Sequence, residues 1–268
     1  MRRSARALYS ILLASTLSFV GYVAHAGDFD ACAEHLPFGA PTVAADLNVT
    51  PICHHGYAVL VDNDALVPRW VAYHLTGPHT LGCLPREARF HVDEQSATAR
   101  PSNYAASGYD IGHMQSAEDG AWDPQAEHDT FSTANVAPQR PHLNREIFER
   151  IEDIERAIAW QRGEIITYVG PVITLEDERI GSQGVDAPAA FFKVLVDPKA
   201  GQAIGFYFDR EGAPKGDPAP FLRPITEIEG AAQIVLPMPA SIDKGAAPSM
   251  WDFDLSAWRS ARRAACSR

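Results

Sequence analysis

One histidine in the sequence lies in a setting that suits acid–base chemistry. His113 follows a glycine in the segment 109–114 and has an acid, Asp110, three residues before it. An imidazole has an ordinary pKa of about 6.5, so it can accept or donate a proton near neutral pH. On this segment alone, a surface or helix-capping histidine is an equally good interpretation. His113 is therefore a candidate general base that needs partners from elsewhere in the chain.

A second set of polar residues stands at the start of an amphipathic helix. Isoleucines in 4-3-4 spacing predict a helix over 143–160, with Asn144 in its first turn. Glu152 comes eight residues after Asn144, and in a regular helix this step is about 80° round and about 12 Å along the axis. At that separation Glu152 could reach the water around an ion held by Asn144 more easily than it could bind the same ion directly. Taken singly, Asn144 is a helix-cap candidate and Glu152 a solvated position. The isoleucines are Ile147, Ile151, Ile154 and Ile158.

The charge of the whole chain limits the kinds of protein that could carry these residues. The 268 residues include 23 basic and 34 acidic side chains, a formal charge of −11, while 46% are apolar. Proteins that coat nucleic acid neutralise many phosphates with lysine and arginine. The composition is that of a folded globular protein. It disfavours a packaging role and leaves catalysis on a few phosphates open.

The first 26 residues have the pattern of an export signal. A basic start with three arginines precedes an apolar stretch over 7–23, and Ala24-His25-Ala26 supplies the small residues that a signal peptidase reads. A membrane anchor is the alternative, but the stretch is short and contains several hydroxyl side chains. We expect a cleaved signal over 1–26, a periplasmic or secreted protein, and no anchor after cleavage. The mature chain would carry −14, because the signal removes three arginines and no acid.

The four cysteines favour disulfides over a metal site. All of them lie in the mature part, and an even number in an exported protein favours two bridges, for which three pairings exist. We favour Cys32 with Cys53, and Cys83 with Cys266. The triplet Cys53-His54-His55 could suggest a metal site, but a disulfide at Cys53 is the better interpretation.

The remaining pattern predicts an α+β domain. Strand-like runs occur on both sides of the strong helix, and a second helix is expected over 251–266. We expect an N-terminal arm over 27–56, extended at least to residue 51, followed by one domain over 57–268. The segment 225–234 is ambiguous between helix and strand. The strand-like runs are 57–61, 69–75, 165–169, 190–196 and 203–208.

Together, the segments around the chemical candidates resemble the DNA/RNA non-specific endonucleases. These belong to the ββα-metal superfamily and include the endonuclease G-like proteins. The resemblance is strongest over 138–144 and extends more loosely from residue 57 to about 236. Three motifs in the right order carry it, with 31 residues from His113 to Asn144 and eight from Asn144 to Glu152. The motifs are 108–114, 130–139 and 144–152, with further matches at 70–76, 168–171 and 191–193.

The resemblance implies a fold, a reaction and a role for each candidate. The fold would be a central antiparallel sheet flanked by helices, and the reaction metal-dependent hydrolysis of phosphodiester bonds to 5′-phosphate ends. His113 would be the general base, and Asn144 the one direct protein ligand of Mg²⁺, which Mn²⁺ could replace. Glu152 would order water around the ion. Asn135 would fix the geometry of the site, partly through a hydrogen bond to the base.

The sequence departs from the family at one position of the first motif. The family reads Asp-Arg-Gly-His, and here Ile111 stands where the arginine would be. Loss of a charge-assisted phosphate contact costs about 1.5–3 kcal/mol, which slows a reaction about tenfold to a hundredfold. The family also uses an arginine upstream of the motif. Candidates for that arginine are Arg86 and Arg89, and candidate substrate-binding residues beside the motifs are Asp110, Arg140 and Arg145.

Two alternatives to a DNA- and RNA-cleaving enzyme remain open on the sequence. The first is a catalytically weakened member that binds nucleic acid or a protein, which Ile111 and the acidic charge motivate. The second is a metal-dependent phosphodiesterase with a small or lipid-like substrate. The expected partners are DNA and RNA. A homodimer is compatible with the sequence, which identifies no inhibitor protein.

Overall fold

A six-stranded antiparallel sheet forms the centre of the computed structural model, which describes residues 22–23 and 28–267. All five strand-like runs of the sequence lie in this sheet, and the prediction of an α+β fold is confirmed. The predicted export signal lies outside the described residues apart from positions 22–23. In spatial order the strands are β12 (Gln202–Asp209), β11 (Ala190–Asp197), β8 (Glu164–Val172), β5 (Val67–Thr76), β4 (Ala58–Asp62) and β3 (Val49–Cys53).

Smaller elements surround this sheet. Three small antiparallel sheets pair β1 (Tyr22–Val23) and β13 (Ile234–Val235) with β2 (Thr42–Ala44), β9 (Glu178–Ile180) with β10 (Val185–Ala187), and β6 (Asp110–His113) with β7 (Val136–Gln139). The helices are α1 (Ala117–Gly120), α2 (Pro124–Thr130), α3 (Glu149–Arg162), α4 (Ile225–Ala232) and α5 (Leu255–Cys266). In the described part of the chain, no helix has the length and apolar character needed to cross a membrane.

The central strands are buried on both faces, which explains their nearly continuous apolar sequences. Along β5, Tyr73 and Leu75 belong to the core on the α3 side, whereas Trp70 and Ala72 belong to the core on the opposite side. Successive side chains of a strand point to opposite faces, so one strand supplies both cores. The sheet is therefore the middle layer of the fold.

The segment expected to be an N-terminal arm packs into the core on the side of the sheet opposite α3. Its strand β3 is an edge strand of the central sheet and pairs with β4. A 3-10 helix over Asp30–His35 precedes it, and Phe29 packs against Trp70 with ring centroids 5.2 Å apart. The segment 28–56 is thus folded onto the sheet rather than extended away from it.

Helix α3 begins with an irregular turn that carries the candidate metal ligand. The isoleucine spacing is confirmed, because all four side chains are at most 1% exposed. Residues Leu143–Phe148 form a π turn before the regular helix starts at Glu149. A π turn advances fewer degrees per residue than an α turn, so it reduces the offset of about 80° expected between Asn144 and Glu152 in a regular helix.

A buried charged network holds α3 against the sheet. Glu155 of α3 accepts hydrogen bonds from Tyr73 of β5 (2.7 Å), from Thr167 of β8 (2.6 Å) and from Lys193 of β11. All four residues are fully buried. A buried charge is tolerated when its partner and hydrogen bonds are present. This network therefore fixes the helix that carries Asn144 and Glu152 to three central strands.

Both favoured disulfides are present. Cys32 and Cys53 are joined with Cα atoms 5.5 Å apart, and Cys83 and Cys266 with Cα atoms 5.3 Å apart. The first bridge ties the 3-10 helix to the edge strand β3. The second spans 183 residues and fastens the end of α5 to the loop before the candidate site. The alternative interpretation of Cys53-His54-His55 as a metal site is wrong, because the sulfur of Cys53 is in the first bridge.

Candidate active site

His113 stands at the end of β6 in a small apolar pocket. Strand β6 pairs with β7 in antiparallel register, with His113 opposite Val136. The imidazole packs against two aromatic rings that also contact each other, with its centroid 4.9 Å from that of Phe90 and 5.1 Å from that of Phe131. Only 7% of the surface of His113 is exposed to solvent. The hairpin and the two rings therefore fix the direction of the imidazole.

This pocket keeps the imidazole neutral. Burial, reinforced by the nearby positive charge of Arg86, lowers the pKa of His113 to about 3. Its Nε2 atom is buried and has no hydrogen-bond partner among the residues described. A neutral imidazole can accept a proton, and a phosphate bound nearby would favour the protonated form. The pocket is thus suited to a general base that works beside an anion.

Asn135 organises the hairpin, but its side chain does not bond to the base as expected. Its Nδ2 donates to the backbone oxygens of Gln115 and Thr130, both at 2.9 Å, and its Oδ1 accepts from the Gln115 N–H at 2.9 Å. The prediction of a side-chain hydrogen bond to His113 is wrong, because these backbone groups occupy the amide. Asn135 is therefore a positioning residue that holds the chain on both sides of the β6–β7 hairpin.

Asn144 is oriented by the acid of the first motif. Its Nδ2 donates to Oδ2 of Asp110 at 3.0 Å, which leaves Oδ1 of the amide without a bond in the described part of the chain. The carboxylate of Asp110 also accepts two hydrogen bonds from Arg145, at 2.6 and 2.8 Å. Asp110 thus joins the strand of His113 to the π turn of Asn144, and its contacts give it a positioning role rather than a direct role in substrate binding.

Glu152 is the second candidate oxygen donor. It lies on the first regular turn of α3, partly buried, and its side chain makes no hydrogen bond or ion pair within residues 28–267. Burial raises its pKa to about 8, against the lowering influence of Lys193 and Arg156. A cation beside a carboxyl group favours its ionised form. Oδ1 of Asn144 and the carboxyl group of Glu152 are the hard oxygen donors that suit Mg²⁺.

The structure distinguishes the two upstream arginines. The guanidinium of Arg86 lies 5.3 Å from the ring centroid of Phe131, which also contacts His113. Its charge is one of the causes of the low pKa of His113. Both arginines are exposed, but Arg89 makes no such contact in the described residues. Arg86 is therefore the better candidate for contact with a phosphate beside His113.

We expect Arg86→Ala to slow phosphodiester cleavage about tenfold to a hundredfold, because it removes a charge-assisted contact of about 1.5–3 kcal/mol. Arg89→Ala is the matched control, since it removes an equal charge from the same loop and should leave the rate nearly unchanged. Steady-state rates on a labelled oligonucleotide compare the two. A larger loss in Arg89→Ala would contradict the assignment.

The other predicted substrate-binding arginines are already engaged by acids. Arg145 is bound by Asp110, and Arg140 lies 4.2 Å from the ring centroid of Tyr109, with Glu178 and Glu211 at 3.7 and 3.9 Å. These partners reduce the charge that either arginine offers to a phosphate. Neither Arg140 nor Arg145 is therefore free to replace the arginine that is missing at position 111.

One group of potential ligands was missed from the sequence. Side-chain ligand atoms of Glu87, His91 and His128 all lie within 4.8 Å of one another. They come from a loop and from α2, separated by up to 41 residues, and no short motif joins them. This group does not include Asn144 or Glu152, so it is a separate cluster.

Comparison with known proteins identifies relatives over most of the domain. A family model described as DNA/RNA non-specific endonuclease matches residues 35–237. The chain is 33% identical over 167 residues to the human protein named "Endonuclease G, mitochondrial", which covers 56% of each chain. It is 29% identical over 170 residues to a protein of Nostoc named "Nuclease", covering 60% of this chain and 61% of that protein. The chain thus spans a little over half the length of these relatives.

A solved structure shares the fold. The structure described as "Crystal structure of the EndoG/EndoGI complex: Mechanism of EndoG inhibition" superposes with a TM-score of 0.69 at 23% identity. The match covers 76% of this chain and 89% of the other. The predicted ββα-metal architecture, with its central antiparallel sheet, is confirmed by this likeness.

Proposed function

Since the chain belongs to the DNA/RNA non-specific endonuclease family, we propose that it is an exported, Mg²⁺-dependent nuclease that hydrolyses phosphodiester bonds in both DNA and RNA. The family match includes every candidate residue of the site. The products would carry 5′-phosphate and 3′-hydroxyl ends.

One contact carries this proposal. The hydrogen bond from Asn144 to Asp110 joins the π turn to strand β6, three residues before His113. The strand that carries the proton acceptor is thereby joined, through one carboxylate, to the turn that carries an oxygen donor for a metal. Such a link supports a site in which a base and a cation act on one phosphodiester.

The residues present fit a hard divalent cation. The free Oδ1 of Asn144 and the unpaired carboxyl group of Glu152 are oxygen donors, and Mg²⁺ commonly keeps several waters and needs few protein ligands. Asn144 would bind the ion and Glu152 would hold its water. When bound, the ion neutralises charge on the phosphate and stabilises the leaving oxygen.

The chain's own groups then divide the remaining work. His113, neutral in its apolar pocket, takes a proton from the attacking water. Arg86 faces the same pocket and stabilises negative charge on the phosphate. Asn135 keeps the hairpin in register, and the aromatic rings keep the imidazole from turning. The reaction is base-assisted attack of water in a site whose geometry is set before the substrate arrives.

The same residues support a broad substrate range. Contacts to phosphate position a nucleic acid but carry no direct sequence information. No role in this mechanism requires a ribose 2′-hydroxyl. DNA and RNA should therefore both be cleaved, with weak sequence preference.

Analysis of the product ends tests the proposed reaction. Fragments of plasmid DNA made by the mature protein should be joined directly by DNA ligase, because ligation requires a 5′-phosphate and a 3′-hydroxyl. Prior phosphatase treatment should abolish joining, which is the control. Fragments that ligate only after kinase treatment would show 5′-hydroxyl ends and contradict the mechanism. Activity on bis-p-nitrophenyl phosphate without activity on DNA would instead indicate a small-substrate phosphodiesterase.

Export is proposed because of the first 26 residues. Their basic start, apolar stretch and small-residue site fit a cleaved signal. The two disulfides of the mature part are consistent with an oxidising compartment. N-terminal sequencing of protein from the native host's extracytoplasmic fraction should begin near Gly27. An intact Met1 in that fraction would contradict cleavage.

We expect Ile111→Arg to raise the cleavage rate about tenfold or more, by restoring a contact of about 1.5–3 kcal/mol. Residues 111 and 113 of β6 alternate with Gly112, so their side chains point to the same face. Ile111 is only partly buried, and an arginine stem can cover the same apolar surface. Ile111→Met, long but uncharged, is the control. A fall in rate would mean that another group already fills this place.

A further inference from the structure

The cluster of Glu87, His91 and His128 lies beside the active-site pocket but is built from other residues. His91 directly follows Phe90, whose ring packs on His113. Glu87 directly follows Arg86, and His128 lies in the last turn of α2, three residues before Phe131. Each member of the cluster is thus adjacent in the chain to a residue that lines the pocket of His113, or lies within one turn of such a residue.

The backbone already holds these side chains close together. The N–H of His91 donates to the Phe131 oxygen at 3.1 Å, and its carbonyl accepts from the Thr133 N–H at 2.9 Å. The N–H of Glu87 donates to a carboxylate oxygen of Glu127 at 2.8 Å. The positions of His91 and Glu87 relative to α2 are therefore set by hydrogen bonds independent of any ligand.

The side chains converge, but one of their nitrogen atoms is left without a partner. The imidazoles of His91 and His128 are stacked with centroids 4.3 Å apart and planes 6° from parallel, and Nδ1 of His128 lies 2.7 Å from Oε1 of Glu87. Nδ1 of His91 is buried and has no partner in the described part of the chain. An unpaired buried nitrogen is costly unless something binds it. A cation between the three side chains would satisfy it.

The donor set identifies the class of cation. Two imidazole nitrogens and one carboxylate oxygen suit Zn²⁺ and similar transition metals, whereas Mg²⁺ prefers oxygen alone. Ligand atoms on one tetrahedral zinc ion lie about 3.3 Å apart, given bonds of about 2.0–2.1 Å. The three ligand atoms already lie within 4.8 Å of one another, and closing the site requires the two stacked imidazoles to turn out of their parallel planes so that a nitrogen of each faces one ion.

We propose that Glu87, His91 and His128 form a transition-metal site of the Zn²⁺ class, separate from the Asn144 site, whose occupancy ties the loop 86–91 to α2. The metal would join two points of the loop to the helix and leave at least one coordination position to water. Because Arg86 and Phe90 belong to that loop, the bound ion would stabilise the wall of the pocket around His113. Zinc would act as a clamp there and take no part in the hydrolysis.

The binding test uses the mature, oxidised protein after dialysis against a chelator and then against metal-free buffer. Isothermal titration with ZnCl₂ in excess Mg²⁺ should show one tight Zn²⁺ per chain. His128→Ala should weaken that binding more than about 100-fold, because even loss of a residue that merely hydrogen-bonds to a metal ligand costs about 10- to 100-fold. Asn144→Ala should bind zinc as the unaltered protein does.

The structure supplies a matched control for His128. His55 is 49% exposed and has a carboxylate of Asp123 at 3.5 Å, while His128 is 48% exposed beside Glu87. His55→Ala should therefore leave the zinc affinity unchanged. No tight binding by the unaltered protein, or equal affinity in His128→Ala, would overturn the proposed site. Neither result depends on whether the protein cleaves nucleic acid.

Limited proteolysis tests the clamp itself. Arg89 is exposed and lies between the ligands Glu87 and His91, so cleavage after it requires the loop to open. Zn²⁺ should slow tryptic cleavage after Arg89 in the unaltered protein and in His55→Ala but not in His128→Ala, with other tryptic sites as internal controls. Equal cleavage with and without bound zinc would contradict the clamp even if the ion binds.

Discussion

His113→Ala should lower the rate of DNA and RNA cleavage by about 100- to 10,000-fold, the range that general acid–base catalysis contributes. The imidazole is the one neutral proton acceptor that the β6–β7 hairpin holds in the pocket of Phe90 and Phe131. Burial lowers its pKa to about 3, so the neutral form is present throughout the neutral pH range. Single-turnover cleavage of a labelled duplex measures the loss.

The same variant tests whether His113 acts in the reaction itself or only in folding and metal binding. Asn144 and Glu152 lie on another element, so His113→Ala should still bind Mn²⁺, as followed by electron paramagnetic resonance. Because alanine leaves a cavity beside two aromatic rings, His113→Asn should be measured as well, since it keeps more of the volume. An unaltered rate in both variants, with native circular dichroism, would rule out His113 as the base.

Asn144→Ala has the second large effect, an expected loss of about a thousandfold at fixed Mg²⁺, because the bound ion supplies several kcal/mol of charge stabilisation. The substitution removes the free amide oxygen and also the hydrogen bond to Asp110. Binding of Mn²⁺ should weaken in parallel, and high Mg²⁺ should restore part of the rate. The loss should therefore depend on metal concentration.

The two variants control for each other. His113→Ala should be inactive with metal bound, whereas Asn144→Ala should lose activity because the metal is lost. If Asn144→Ala kept the Mg²⁺ dependence of the unaltered protein, the ion would be bound elsewhere. The roles of base and ligand would then have to be reassigned.

Local sequence patterns were sufficient for much of the fold. The isoleucine spacing predicted the helix over 143–160, and its four side chains are buried as that pattern requires. The strand-like runs predicted five strands of the central sheet, because strands buried on both faces have nearly continuous apolar sequences. Both signals depend on residues that are close in the chain.

Features built from distant residues could not be predicted in this way. Strand β3 was missed because Pro51 argues against a strand, yet proline is tolerated at a sheet edge, where β3 lies. Lys193 sits in an apolar run, and only its contact with Glu155 of α3 shows why a charge is buried there. The assumption of a regular helix also misled, since the π turn changes the offset from Asn144 to Glu152.

The sequence named candidate residues for the site but not the contacts between them. The resemblance named His113 and Asn144 together, but the carboxylate that links them, Asp110, was expected to bind substrate. Asn135 was expected to bond to the base, whereas its amide is used by backbone groups. Such partners depend on which loops meet, and residue spacing carries no information about that.

The most direct test of the proposed nuclease is digestion of supercoiled plasmid and of single-stranded RNA by the mature protein with both disulfides formed, in Mg²⁺ or in EDTA. We expect loss of both substrates in Mg²⁺ and none in EDTA. Intact substrates after incubation of folded protein with Mg²⁺, Mn²⁺ and Ca²⁺ in turn would contradict the proposed function and indicate a binding protein in which Ile111 is the decisive change.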